Sequence, residues 1–146
     1  MNAPRRRADI TLADLQQRTT TCLPGLFGLQ LLHIDDAELL MRMNVQPQFL
    51  APNGFLHAAS VVALADTACG FATIAHLPEG AESFTTIELK SNFLGTARDG
   101  AVDAMARAAH VGRTTQVWDA TVTDAASGRT IALFRCTQMI LWPRAR

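Results

Sequence analysis

A long apolar run in the middle of the chain predicts one buried helix. Between Ala58 and Ala75 the only charged residue is Asp66, and alanine recurs along the run. The run is longer than most strands, and Pro52 and Gly54 supply a turn before it. A helix that is apolar nearly all round is buried on most of its circumference. The rest of the chain is therefore expected to wrap around it.

Six other segments carry the patterns of strands. In the second of them, Leu39, Met41 and Met43 alternate with Leu40 and Arg42, so one face should be buried and one wet. The predicted strands are Leu26 to His33, Glu38 to Val45, and about residues 83–93, 101–110, 114–123 and 130–141. Two strands, one buried helix and four successive strands predict an α+β fold in which an antiparallel sheet curls around the helix.

The first part of the chain gives weaker signals. Residues 1–9 are rich in Pro and Arg and are predicted to form a disordered tail, which leaves residues 10–146 as a single domain. Thr11 to Gln17 predicts a short helix with Thr11 or Asp9 as its N-cap. The segment Cys22-Leu23-Pro24-Gly25 predicts a turn.

Length and charge narrow the class of protein. The 146 residues are enough for one domain. The 13 basic and 13 acidic residues balance, so the chain has no net charge that would attract nucleic acid or membranes. Arg5-Arg6-Arg7 is followed by Ala8-Asp9-Ile10-Thr11 and not by an apolar core, unlike a signal peptide. The long apolar run is weakly hydrophobic for a membrane span and contains Asp66. We expect a soluble, cytoplasmic protein.

The three cysteines, Cys22, Cys69 and Cys136, are widely spaced and lack metal-ligand spacing, so reduced thiols are expected. Cys69 could act as a nucleophile beside Asp66, but a Cys in an apolar helix is more often a small hydrophobe. The histidines are scattered along the chain. We therefore expect no metal site.

Two residues around the predicted helix are energetically costly. Asp66 lies in its middle, where an ionised carboxylate without a partner is unfavourable. His57 lies at its start, where free backbone N–H groups and the positive end of the helix dipole collect. Both could belong to a functional site, or Asp66 could be a satisfied polar residue at an interface and His57 a packing residue at the helix entry.

These residues carry a resemblance to a known family. The segment Gly54-x-x-His57-Ala58-Ala59, followed by Leu64-Ala65-Asp66, resembles the signature of hotdog-fold thioesterases of the phenylacetate-degradation (PaaI-like) type. The likeness continues through residues 85–93, 112–115 and 131–135. It implies a hotdog fold, with a curved sheet of about six strands around one long helix. It also implies an acyl-CoA thioesterase with no separate cofactor, because coenzyme A is part of the substrate.

The resemblance also implies roles for single residues. His57 and the backbone N–H of Ala58 match the groups that polarise the thioester carbonyl, as a helix N-terminus can. Asp66 matches the catalytic carboxylate, either as a nucleophile or as a general base on water. Thr86 matches a residue that holds the attacking water, and its neighbour Thr85, on the opposite face of the strand, is the alternative.

The substrate-binding residues implied in the same way are Gly54 with its neighbour Asn53, and Arg113 with Thr114. The latter pair opens a strand near the place where relatives meet the nucleotide phosphates. A guanidinium fork matches phosphate oxygens, although an ordinary turn arginine explains the sequence equally well.

The chain departs from the family pattern at two places. Ala58-Ala59 stands where Gly-Gly is usual, and Ala51 stands where many relatives carry Asn. The Ala58-Ala59 departure keeps open the alternative of a hotdog module that binds acyl-CoA without turnover. A dehydratase or hydratase is disfavoured, because those relatives usually place Asp before His, whereas here His57 precedes Asp66.

The spacing of His57 and Asp66 bears on assembly. Nine positions on a helix correspond to about 13 Å of rise and roughly half a turn, so one chain cannot easily bring both to one carbonyl. Two antiparallel helices could place His57 of one chain opposite Asp66 of the other. We therefore expect a homodimer, as the family builds its sites across a dimer interface, and beyond it a dimer of dimers.

Overall fold

A six-stranded antiparallel sheet curves around one long helix in the computed structural model, which describes residues 4–144. The sheet order is β1-β2-β4-β5-β6-β3, so β1 and β3 are its edge strands. The predicted hotdog architecture is confirmed. The elements are α1 (Leu12–Gln17), α2 (Cys22–Leu26), β1 (Gln30–Ile34), β2 (Glu38–Asn44), α3 (Ala58–Ala75), β3 (Ser83–Phe93), β4 (Ala101–Val111), β5 (Thr115–Asp124) and β6 (Thr130–Leu141), with a single 3₁₀ turn at Pro47–Phe49.

Helix α3 is the centre of the core, and its bounds agree with the prediction. Leu64, Ala65 and Ala68 have 0% exposure, as do Met41 and Trp118 on the inner face of the sheet. By length and composition alone α3 could cross a membrane, but 67% of its apolar window is buried inside the fold. That burial is typical of a core helix, whose apolar surface is removed from water by the sheet.

The outer face of the sheet is polar, as the alternation in β2 predicts. Arg42 forms a bidentate ion pair with Asp103, with N···O distances of 2.7 and 2.8 Å. Arg107 pairs with Glu38 on the same face. Charged side chains therefore cover the side of the sheet that faces away from α3.

The predicted turn at Cys22-Leu23-Pro24-Gly25 is wrong, because these residues begin helix α2. Pro24 lies in the first turn of α2, where a missing backbone N–H costs little. The strand predicted from Leu26 is therefore also wrong at its start. Helix α2 ends at Leu26, Gly28 adopts a φ of 59°, and β1 begins only at Gln30.

The N-terminal segment was predicted to be a disordered tail, and its residues 1–3 lie outside the described residues. The described part lies against the fold: the backbone N–H of Arg7 donates to the carbonyl of Ala75 at 2.7 Å. Helix α1 follows, capped by Thr11 in a capping box with Asp14. Of the two predicted caps, Thr11 is the one used.

Candidate active site

The start of α3 presents a free backbone donor. His57 is the N-cap, and its Nδ1 accepts a hydrogen bond from the N–H of Ala59 at 2.9 Å. The N–H groups of Ser60 and Val61 donate to the carbonyl of His57 at 2.9 and 3.2 Å. Within residues 4–144 the N–H of Ala58 meets no acceptor, so it can donate to a ligand at the positive end of the helix dipole.

The imidazole of His57 adds a second donor at the same place. Because Nδ1 accepts the hydrogen bond from Ala59, the proton of the neutral ring lies on Nε2. His57 and Ala58 are both exposed. The two groups predicted to polarise a carbonyl are therefore adjacent and accessible.

A tight turn leads the chain into this helix start. Gly54 has a φ of 84°, which glycine adopts without strain. The side-chain oxygen of Asn53 accepts from the N–H of Phe55 at 3.2 Å. Gly54 and Asn53, both predicted to bind substrate, therefore shape the turn that positions His57.

An apolar cavity of about 290 Å³ opens beside the helix start. Its lining includes Ala58, Val61, Phe93 and Ile131. The guanidinium of Arg98 stacks over the ring of Phe55, another lining residue, at 4.3 Å. A larger recess of about 460 Å³ lies on the charged outer face, away from α3. Of these two, the smaller cavity is the one that adjoins the free N–H of Ala58.

Asp66 lies half-buried in the middle of α3 with an unsatisfied carboxyl group. Its Oδ1 is buried and accepts no hydrogen bond from any described residue. Burial raises the pKa of this carboxyl above its ordinary value. A carboxylate that is desolvated and unpaired is a candidate proton acceptor, since catalytic groups are often perturbed in this way.

Two contacts show which part of the sheet faces Asp66. The first turns of α3 lie near the end of β3, because Val61 and Phe93 line the same apolar cavity. The later part of α3 lies near the start of β3, because a Cβ added to Gly70 would lie 3.2 Å from the ring of Phe84. Helix α3 and strand β3 therefore run in opposite directions. Asp66 lies between Val61 and Gly70 and is one turn from Gly70 on the same side, so it faces the middle of β3.

Thr86 is a hydroxyl residue near the middle of β3, and it pairs with the buried Gln138 on the side of the sheet that faces α3. Its Oγ1 donates a hydrogen bond to Oε1 of Gln138, a fully buried side chain on β6, at 2.8 Å. Thr85 pairs with Met139 and faces the opposite side of the sheet. Of the two threonines, Thr86 is the one on the same face as α3.

One chain does not bring His57 and Asp66 to the same point. His57 caps α3 and Asp66 lies within the same continuous helix. The predicted separation of about 13 Å along the axis therefore holds. Within a single chain, Asp66 faces the middle of β3, where Thr86 lies, while Ala58 lines the apolar cavity next to His57.

Comparison with known proteins identifies the family. Residues 53–131 match the model of the family described as Thioesterase superfamily, and this range contains His57, Asp66 and Thr86. The chain belongs to the thioesterase superfamily. The predictions of a hotdog-fold thioesterase and of a thioester hydrolase are confirmed, and the finer assignment to the phenylacetate-degradation type stays a prediction.

Similar proteins align with between 79% and 93% of this chain. The 1,4-dihydroxy-2-naphthoyl-CoA hydrolase of Escherichia coli (strain K12) is 30% identical over 132 residues, which are 90% of this chain and 96% of that protein. The enzyme of the same name from Listeria monocytogenes is 28% identical over 79% of this chain and 92% of its own length. The crystal structure of a mutant of thioesterase PA1618 from Pseudomonas aeruginosa superimposes with a TM-score of 0.87 at 29% identity, covering 93% and 97% of the two chains.

The predicted phosphate contact lies at the other end of this thioesterase. Arg113 stacks over the ring of Trp142 at 4.4 Å, and the carbonyl of Thr114 accepts from the N–H of Ile140 at 2.9 Å. Trp142 also approaches Gly80, which follows the C-terminal end of α3. One chain therefore does not bring Arg113 and Thr114 close to His57.

Cys69 is fully buried, and a hydrogen bond with Cys136, together with burial, raises the pKa of its thiol well above the ordinary value. A thiol that stays protonated is a poor nucleophile. Both observations favour the interpretation of Cys69 as a small hydrophobe in this thioesterase.

One group of potential metal donors was not singled out from the sequence. His33, Asp35 and Glu38, near the surface, have donor atoms within 4.8 Å of one another. These donors already have partners: Asp35 accepts from the backbone N–H groups of Ala37 and Glu38, and Glu38 pairs with Arg107 at 2.6 Å. The arrangement is that of a hydrogen-bonded hairpin between β1 and β2.

Proposed function

We propose that this thioesterase hydrolyses an aromatic acyl-CoA to the free acid and coenzyme A, with a medium-chain acyl-CoA as the alternative. The observation that carries this proposal is the unpaired, desolvated carboxyl of Asp66 on the helix whose first N–H is free. The apolar cavity of about 290 Å³ beside Ala58 supports an aromatic acyl group. Two similar proteins are named for hydrolysis of a naphthoyl-CoA, which also supports this substrate class.

The residues support an attack by water on the thioester carbonyl. The carbonyl oxygen would accept from the N–H of Ala58 and from Nε2 of His57, which stabilise the negative charge that develops on it. Asp66 would take one proton from a water held by Thr86, and the resulting hydroxide would attack the carbonyl carbon. The C–S bond then breaks, and the coenzyme A thiolate receives the proton from Asp66. Direct attack by Asp66, forming an anhydride that water then hydrolyses, is the alternative.

We propose that the complete site forms between two copies of this chain. Strand β3 is an edge strand, and it pairs with β6 on one side only within the described residues. Ile87, Leu89 and Phe93 on this strand are 56%, 43% and 45% exposed, and Leu94 just after it is 64% exposed. An exposed apolar edge is a ready surface for pairing with another chain. A dimer through β3, with α3 helices antiparallel, would place His57 of one chain near Asp66 of the other; a dimer of dimers is the further assembly we expect.

A panel of thioesters tests the proposed activity. We expect release of free thiol from benzoyl-CoA and phenylacetyl-CoA to be faster than from hexanoyl-CoA, with acetyl-CoA the slowest. A preference for hexanoyl-CoA would instead support the medium-chain alternative. Tight binding of the same compounds without release of thiol would show a binding module and contradict the proposed hydrolysis.

The replacement Arg113→Ala tests the proposed contact with the coenzyme. In an antiparallel dimer the β4–β5 turn of one chain approaches the helix start of its partner, where Arg113 can meet a phosphate. We expect the KM for a full CoA thioester to rise about tenfold, while the KM for the matching pantetheine thioester stays unchanged. The effect should shrink with added salt, because the Debye length is about 10 Å at 0.1 M.

The matched control for Arg113 is Arg107→Ala. Arg107 pairs with Glu38 on the outer face of the sheet, and its loss should leave both KM values unchanged. An equal rise in KM for the full and the truncated substrate in Arg113→Ala would show that the contact with Trp142 is only structural.

A further inference from the structure

A fully buried glutamine lies directly behind Thr86. Gln138 has 0% exposure, and its Oε1 accepts the hydrogen bond from the hydroxyl of Thr86 at 2.8 Å. Its Nε2 donates to Sγ of Cys136 at 3.3 Å. A buried amide is costly unless its hydrogen bonds are made, and sulfur is a weak acceptor. The strong partner of Gln138 is therefore Thr86.

This contact fixes the direction of the Thr86 hydroxyl. A hydroxyl has one hydrogen to donate and lone pairs that accept. Because the hydrogen goes to Gln138, Oγ1 of Thr86 offers only lone pairs to a molecule on its other side. The contact of Nε2 with Cys136 orients the amide so that its oxygen, and not its nitrogen, faces Thr86.

The backbone of β3 supports the same arrangement. A β-bulge interrupts the pairing of β3 with β6 between Thr86 and Glu88, directly after the pair Thr86 and Gln138. Bulges bend a strand and redirect the side chains beside them, often next to functional sites. The edge strand thus leaves its regular course just after it presents Thr86 to Gln138.

We propose that Gln138 is a positioning residue that holds Thr86 as a hydrogen-bond acceptor for the attacking water. This inference rests on the proposed hydrolysis. A water between Asp66 and Thr86 then gives one hydrogen to each, and the lone pair opposite these bonds is free to attack the carbonyl carbon. Without Gln138 the Thr86 hydroxyl can rotate and donate a hydrogen bond to the water. That hydrogen bond occupies the lone pair with which the water must attack the carbonyl carbon.

The neighbouring strand supplies a matched control. Gln116 on β5 is the register partner of Gln138 and is also fully buried. Its Nε2 donates to the carbonyl of His76 at 2.9 Å, and its Oε1 accepts from Nε1 of Trp118 at 3.0 Å. Gln116 has no bond to Thr86, so its loss tests what removing a buried amide does by itself.

The experiment is a double-mutant cycle on the hydrolysis of the best acyl-CoA of the panel. Gln138→Met keeps the length of the side chain and removes its acceptor. We expect it to lower kcat about tenfold with KM unchanged, in line with the loss of one neutral hydrogen bond. In the Thr86→Val background the same replacement should cause no further loss, because no hydroxyl remains to be oriented. In the Thr86→Ser background, which keeps a hydroxyl, the loss should return.

The control and the outcomes separate this inference from the proposed function. Gln116→Met should lower the melting temperature and leave kcat unchanged. If Gln138→Met and Thr86→Val lower kcat independently, so that their losses multiply, Gln138 is only structural and the inference is wrong. If the unaltered protein releases no thiol from any acyl-CoA, the proposed function fails, and the role of Gln138 fails with it.

Discussion

Replacement of Asp66 by Asn is expected to lower kcat about a thousandfold, the range for loss of a general base. Asn keeps the shape of the side chain, so the fold and the binding of acyl-CoA should be unchanged. The measurements are kcat and KM with the best substrate of the panel, together with binding of that substrate by the inactive variant. A variant that retains near-normal turnover would remove Asp66 from the mechanism.

The raised pKa of Asp66 adds a stability test with a definite sign. Because its pKa is higher in the folded than in the unfolded chain, ionisation opposes folding, and this cost is complete above the raised pKa. Where the pH is above the raised pKa, the melting temperature of Asp66→Asn should therefore exceed that of the unaltered protein. The difference should vanish as the pH falls below the ordinary pKa of an aspartate.

The same ionisation predicts the pH dependence of catalysis. Turnover requires the ionised carboxylate, so kcat should fall as the pH drops through the raised pKa of Asp66. Asp103→Asn is the control, since Asp103 lies on the outer face and pairs with Arg42. It should leave kcat and its pH dependence unchanged.

Mixing two inactive variants is expected to restore activity, because each proposed site takes residues from two chains. A hybrid of Asp66→Asn with His57→Ser contains one site with both lesions and one intact site. Ser keeps an N-cap oxygen at this position and removes the imidazole. After subunit exchange, half of the dimers are hybrids, so about a quarter of the sites, and of the activity, should return. The measurement is thiol release before and after mixing.

A second mixture controls for the first. The proposed mechanism takes Asp66 and Thr86 from the same chain, so a hybrid of Asp66→Asn with Thr86→Val has one lesion in each site. No activity should return in this mixture. Equal recovery in both mixtures, or an active monomer by sedimentation, would contradict a site built across a dimer.

Much of the fold follows from local patterns in the sequence. The bounds of α3 could be predicted because an apolar run that is too long for a strand begins after a turn at Gly54. The four later strands could be placed because short polar turns separate them. The helix at Cys22–Leu26 could not be predicted, since Pro24 and Gly25 usually mark a turn, whereas here Pro24 lies in the first turn of a helix, where its missing N–H costs little.

The candidate site was predictable only in part. His57, Ala58 and Asp66 belong to a compact motif, and alternation along β3 separates Thr86 from Thr85. Gln138 was missed because its partner Thr86 is 52 residues away in the chain, and only the register of β3 with β6 brings them together. An isolated glutamine in an apolar strand gives no local signal of such a contact.

The exposed edge of β3 links the activity of each chain to the protein concentration. If the site exists only when two edges meet, the activity of each chain falls on dilution, because dissociated chains lack half of the catalytic groups. The same row of free backbone groups and apolar side chains can join a wrong strand when partners are scarce. Correct assembly and aggregation then compete for the same surface, and the concentration of the protein decides between them.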